Sequence, residues 1–323
     1  MTEARAMFPH LSRRDLLHSA AAAGVGLAAT TAPAAAAVEP AKKDLFGYCL
    51  NTSTISGQKL DIIEQVEIAA KAGYDSIEPW IRDIDQYVKG GGDLKGLGKR
   101  IQDRGLQVPS AIAFSEWIVD DDDKRKKGFE DVRRCMDLVL EIGGKRIAAP
   151  PAGVNNQTMG LEVRHIAERY RELLEIGDKI GVVPMLEVWG HAKVLNRLSQ
   201  VAYVALESGH RKACVLADVY HLYKGGSDFK GVHLLSADAL PHFHFNDYPD
   251  KPARVDITDA ARVYPGDGIA PLKELLHDLR NLGYRGALSL ELFNREYWKQ
   301  DALQVAKTGL EKMKAVVRAS ADL

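Results

Sequence analysis

The chain has 323 residues, with 43 Lys and Arg against 44 Asp and Glu, a formal net charge of -1 and 46% hydrophobic residues. That balance excludes a disordered or fibrous protein and leaves no general attraction for nucleic acid or anionic lipid. Cys49, Cys135 and Cys214 stand far apart with no CxxC pair, which excludes a disulfide framework or a cysteine zinc site and reads them as small buried apolar residues.

The first element in chain order is an export segment. Residues 12–18 read Ser-Arg-Arg-Asp-Leu-Leu-His, followed by an apolar, Ala-rich run over 19–31 and then Ala34 to Ala37. A paired arginine, an apolar stretch too short to span a bilayer and an Ala-x-Ala cleavage pattern together predict a twin-arginine (Tat) signal peptide over 1–37. Residues 38–43 are then a short linker and 44–323 the folded domain. The expected partner of the leader is the Tat export machinery, and the mature chain would keep no stable membrane span and work in the periplasm or outside the cell. Tat export carries proteins already folded, which suits a chain that captures a cofactor before it leaves the cytoplasm.

From Leu45 onward, short apolar stretches alternate with longer stretches of helical period, and the helices tend to end in Gly just before the next apolar run. Parallel β/α units produce that punctuation, with Gly as helix C-cap and strands buried on both faces. Strands are expected at 45–51, 75–80, 107–114, 145–150, 182–189, 213–219, 241–247 and 286–293, with helices at 60–72, 129–142, 163–180, 194–208 and 272–282 between them. The acidic run Asp120 to Asp123 and the basic run Lys124 to Lys127 read as a solvated loop leading into a helix. Eight β/α units over some 280 residues predict a single-domain α/β fold, the (β/α)8 TIM barrel, whose usual length is about 250 residues. A doubly wound sheet would need a Gly-x-Gly-x-x-Gly after its first strand, and none is present.

Active sites of this barrel sit at the C-terminal strand ends. There the sequence offers Glu187, Asp218, His244 and Glu291 on four consecutive expected strands. A carboxylate flanked by apolar residues in a buried strand needs a partner. Three carboxylates and one imidazole around a common centre call for a divalent metal, Mn²⁺ first, with Mg²⁺, Co²⁺ or Zn²⁺ admitted. His221, three residues past Asp218, would touch substrate or cap the following helix. His242 is expected to point away from His244 or to be displaced from it.

Glu187, Asp218-x-x-His221, His244-x-Asn246-Asp247, the Tyr264-Pro265-Gly266-Asp267-Gly268 loop and Glu291 together resemble the xylose isomerase-like TIM-barrel superfamily, which includes sugar phosphate isomerases and epimerases. The resemblance covers essentially all of 45–315. It implies that Glu187, Asp218, His244 and Glu291 hold a divalent metal, commonly manganese, that Glu187 and Glu291 are also the catalytic acid/base pair, and that His221 contacts substrate oxygens. The endonuclease branch of the superfamily uses additional histidines on earlier strands, absent here after Glu78-Pro79-Trp80, Ala113-Phe114-Ser115 and Ala149-Pro150-Pro151. With no basic face either, a nucleic-acid partner is excluded.

Other rim residues carry weaker readings. Trp189, with Trp80 and Trp117, could stack on a sugar ring or belong to the core. Glu78 could bind a substrate hydroxyl or pair with an arginine. Arg254 and Arg262 could hold an anionic group or lie in solvent, and Arg254 is taken as the substrate-binding residue. The function these residues imply is a metal-dependent sugar isomerase or epimerase that abstracts a proton from a small ketose or keto-polyol through a metal-stabilised enediolate. The alternatives are a metal-dependent lyase, dehydratase or glycoside-cleaving enzyme acting on 3-keto sugars and, from another class, a non-catalytic sugar-binding barrel. A homo-oligomer is admitted, although no segment predicts an interface.

Overall fold

Seven parallel strands form one sheet: β1 (Gly47–Asn51), β2 (Ser76–Glu78), β3 (Arg146–Ala149), β4 (Val183–Glu187), β5 (Val215–Asp218), β6 (His242–His244) and β7 (Ala287–Leu290), in the order β2-β1-β7-β6-β5-β4-β3. The computed structural model describes residues 45–154 and 162–321. The expected export signal and linker lie outside the described residues.

The eighth strand, expected at 107–114, is reduced to isolated bridges at Gln107 and Ile112. It still closes the barrel. The Ile77 amide donates to the Gln107 carbonyl at 2.9 Å and the Ile112 amide to the Pro79 carbonyl at 3.0 Å, while the Ala148 amide of β3 donates to the Ala111 carbonyl at 2.9 Å. Pro109 has no N–H to give, so a continuous ladder cannot form through it.

Nine α-helices join the strands: α1 (Ile62–Ala72), α2 (Ile81–Lys89), α3 (Leu94–Asp103), α4 (Asp122–Glu141), α5 (Val163–Ile180), α6 (Leu198–Glu207), α7 (Val219–Gly225), α8 (Leu272–Asn281) and α9 (Ala302–Ala319), counted among the described residues. Two differ from expectation for local reasons. Helix α4 begins at Asp122 rather than 129, because the Asp121 side chain accepts the Lys124 amide at 2.9 Å and caps it. The acidic run is therefore the first turn of a helix, where carboxylates favour the exposed amides and the dipole. Helix α6 starts at Leu198 rather than 194, since Leu195 has φ of 54°, a left-handed conformation that no helix includes. The Gly punctuation holds: Gly73 and Gly181, at φ of 93° and 96°, end α1 and α5.

Between barrel and helices lies the main apolar core. A second, smaller cluster of Trp80, Ile112, Ala148, Met185, Cys214 and Leu216 fills the inside of the barrel. Side chains two apart on a strand share a face. Met185 and Leu216 therefore lie in the packed interior directly beneath Glu187 and Asp218, and the ionisable residues stand on an apolar floor. All three cysteines are buried and free, and burial pushes the Cys135 thiol up to about 12. Among the described residues no helix is long and apolar enough to cross a membrane.

Candidate metal centre and active site

Four strand ends converge as the alternation requires. His244 Nδ1 lies 3.2 Å from Glu291 Oε2, 3.7 Å from Asp218 Oδ2 and 3.8 Å from Glu187 Oε1. All four residues are at most 4% exposed. Asp218 is fixed from both sides: Oδ1 accepts the His221 amide at 2.7 Å and so caps α7, while Oδ2 accepts Nδ2 of Asn246 at 3.0 Å. Asn246 in turn accepts the Tyr220 amide at 3.0 Å, tying β6 to the start of α7.

His242 does not point away from His244. Two residues apart on β6, they face the same way, and Glu78 lies between them, with Oε1 3.1 Å from His242 Nε2 and Oε2 3.2 Å from His244 Nε2. Glu78 is also not a substrate contact. It is fully buried, and Oε2 accepts Nδ2 of Asn51 at 3.0 Å and the Ser289 hydroxyl at 2.7 Å. Its place behind His244 turns Nδ1 toward the three carboxylates, as second-layer carboxylates do for metal-bound histidines. Asn51, which the sequence did not single out, also donates to Glu291 Oε1 at 3.2 Å and accepts the Trp80 indole N–H at 2.9 Å. Replacing Glu78 with Gln should weaken divalent-cation binding about 10- to 100-fold with little change in the far-ultraviolet spectrum, measured by calorimetric titration.

The arginine of the site is Arg262, not Arg254. Arg254 is exposed and donates to the Lys224 carbonyl at 3.2 Å. Arg262 is 1% exposed; Nη1 donates to Asp218 Oδ2 at 2.9 Å and Glu291 Oε2 at 2.7 Å, and Nη2 donates to Asp259 at 2.6 Å and lies 3.1 Å from His221 Nε2. Asp247 holds the loop that delivers it. Its backbone pairs with Val263 in both directions, and its carboxylate accepts the amides of Tyr248, Gly266, Gly268 and Ala270 at 2.8 to 3.1 Å. A Cβ at Gly268 would lie 2.2 Å from the Tyr248 carbonyl, so the loop needs glycine there. Asp247→Ala should cost about 2 to 3 kcal/mol, read as a lower midpoint in urea unfolding, since it strips four amides of one charged acceptor.

His221 lies inside the cluster, 3% exposed, and Trp189, two residues past Glu187, is half-buried. Trp117 belongs to the core: it is 1% exposed and its indole donates to the Pro150 carbonyl at 2.8 Å.

The electrostatics describe a centre short of positive charge. Burial pushes Glu187 up to about 8 against the pull of His244, with Glu291 and Asp218 adding to the rise. Burial also lifts Asp218 to about 6 against the pull of Arg262. For Glu291, burial is outweighed by His244 and Arg262, which hold it below the usual range. Burial disfavours charge on His244, but Glu291 and Glu78 overcome it and raise the imidazole well above its ordinary value. Burial and the neighbouring guanidinium keep His221 neutral, well below its ordinary value.

Asp218, His244 and Glu291 offer ligand atoms all within 4.8 Å of one another, with Glu187 alongside, and this oxygen-rich set with one imidazole fits a divalent cation. A cation held here would displace the protons that Glu187 and Asp218, raised to about 8 and about 6, otherwise keep. Its affinity should therefore rise with pH between about 6 and 8, with proton release seen by calorimetry in two buffers of different ionisation enthalpy. An affinity flat across that range would count against this charge distribution.

The family model described as "Xylose isomerase-like TIM barrel" matches residues 66–316. Inosose isomerase of Bacillus velezensis is 26% identical over 280 residues, covering 83% of this chain and 96% of its own length. The 3-dehydroshikimate dehydratase of Pseudomonas putida is 24% identical over 253 residues, covering 77% of this chain and 39% of its own length. Among solved structures, the IolI protein with a bound zinc atom superposes with a TM-score of 0.78 at 23% identity, covering 85% of this chain and 99% of that one.

Proposed function

Because the chain belongs to the xylose isomerase-like TIM-barrel family, we propose that it is a divalent-metal-dependent sugar isomerase or epimerase, acting on a small ketose or keto-polyol by proton abstraction beside the carbonyl. The observation that carries this reading is the convergence of Glu187, Asp218 and Glu291 on His244 Nδ1 at 3.2 to 3.8 Å. Glu187, Asp218, His244 and Glu291 would hold the cation, which supplies Lewis-acid polarisation of a bound carbonyl and acidifies the adjacent C–H.

The chain's own residues supply the rest. Glu187 ends β4 and Glu291 follows β7, at the two ends of the arc β4-β5-β6-β7. They approach a substrate at the centre from different sides, so one carboxylate takes the proton and the other returns it. Return to the same carbon inverts it; return to the neighbouring carbon moves the carbonyl. Neutral His221, whose Nε2 lies 3.1 Å from the Arg262 guanidinium, and Arg262 itself, bonded to Asp218, Glu291 and Asp259, would fix the orientation of the carboxylates around the bound substrate. The zinc in the IolI structure and the inosose isomerase relative support this reading; manganese as the physiological ion and export through the twin-arginine leader at 1–37 are parts of it. An exported site favours an unphosphorylated sugar.

The dehydratase relative supports a second reading, in which the same proton abstraction ends in loss of a leaving group. Incubation of the metal-loaded protein in D₂O with ketoses, inososes and 3-keto-glycosides tests both. Deuterium incorporation that stops with chelator is expected. Retained carbon connectivity supports the isomerase or epimerase, loss of a substituent supports the lyase, and no exchange with any of these substrates defeats the proposal.

A further inference from the structure

The mouth of the barrel carries an aromatic arc that the chemistry above does not use. Trp80 follows Glu78 and Trp189 follows Glu187, each two residues beyond an ionisable residue at its strand end. Phe114 sits between the two indoles, its ring centroid 5.0 Å from that of Trp80 and 5.9 Å from that of Trp189. His191 extends the arc, 5.1 Å from Trp189 and 5.4 Å from His221. Exposure is graded along it: Trp80 is 8% exposed, Trp189 half-buried and Phe114 46% exposed.

Phe114 packs one side against Trp80 and Trp189 and leaves the rest of its ring open to water beside the candidate centre. With its neighbours it makes a mainly aromatic surface that begins at the Glu187 side of the site and is bounded at Trp80 by the Arg82 guanidinium, 4.2 Å from that ring's centroid. The charge pattern agrees. The guanidinium at the floor, Arg262, is already engaged by Asp218, Glu291 and Asp259, which disfavours an anionic tail on the substrate.

We propose that Trp80, Phe114 and Trp189 form a subsite for a second ring, so that the preferred substrate is a keto-sugar joined through a glycosidic oxygen to an aryl or sugar ring. This rests on the reading of the first ring as a metal-bound keto-sugar. Stacked on the arc, the second ring covers Phe114 from water and shields the Glu187 side of the centre. Aromatic stacking of this kind adds affinity for any ring that presents a flat apolar face, without a charged contact.

Tryptophan quenching reports the arc directly, because Trp80 and Trp189 are part of it. The metal-loaded full chain is titrated with methyl and with phenyl 3-keto-β-D-glucopyranoside. The phenyl compound is expected to bind about tenfold more tightly. Phe114→Ala should abolish that preference, weakening the phenyl compound about tenfold more than the methyl compound. Equal binding of the two compounds by the parent, an equal loss for both in Phe114→Ala, or no binding of the phenyl compound at millimolar concentration overturns the proposal. Deuterium exchange, run separately, distinguishes the two ideas: a retained ring preference without C–H exchange defeats the enolisation chemistry alone, and exchange without ring preference defeats the subsite alone.

Discussion

Glu187→Gln and Glu291→Gln should each lower turnover about 10³-fold, within the 10²- to 10⁴-fold range of a positioned acid or base. The change keeps size and most hydrogen bonding while removing the group that carries the proton. Each residue is 4% exposed and within 3.8 Å of His244, so neither has water as a substitute acceptor. Because both would also hold the cation, metal content must be measured alongside. The expected result is loss of C–H exchange even at cation concentrations that saturate the variant. A variant that exchanges as fast as the parent when saturated removes that carboxylate from the chemistry.

Arg262→Met should destabilise the metal-free protein by about 3 to 5 kcal/mol, the usual cost of removing one partner from a buried charge network. Its Nη1 alone joins Asp218 at 2.9 Å and Glu291 at 2.7 Å, and no other cation except His244 reaches both carboxylates among the described residues. With the guanidinium gone, the buried carboxylates repel one another or take up protons. A divalent cation should restore much of the lost stability, because it supplies the missing positive charge at the same oxygens. Thermal melts of parent and variant, each with chelator and with added Mn²⁺, check this. A variant that melts with the parent in chelator, or gains no more than the parent from Mn²⁺, contradicts the role given to Arg262.

The barrel and its four-residue cluster were legible because both follow from periodicity. Alternation of period two, read along a strand such as Met185-Leu186-Glu187, places Glu187 on the same face as an interior residue. The same rule, applied consistently, would have put His242 beside His244, where the structure has it. The expected strand at 107–114 was legible as a segment but not as its bonding, since Pro109 breaks the ladder while its neighbours still close the ring.

Loops carry no such period, and there the sequence offered only candidates. Arg254 and Arg262 occupy one connection, and their sequence positions do not say which turns inward. The choice is made by Asp247, whose backbone pairs with Val263 and whose carboxylate gathers the loop amides, so that the residue before Val263 is carried into the site.

By itself, then, the order of apolar runs, helix caps and strand-end carboxylates determined the barrel and the identity of the four converging residues, because those features depend on near neighbours in the chain. Tertiary structure alone decided that Glu78 stands behind His244, that Asn51 links Glu78 to Glu291, that Arg262 rather than Arg254 enters the cluster, and that Phe114 bridges two indoles at the mouth. Each of those contacts joins residues far apart in sequence, brought together only when the ring of strands closes and its shared interior fixes which side chains must meet.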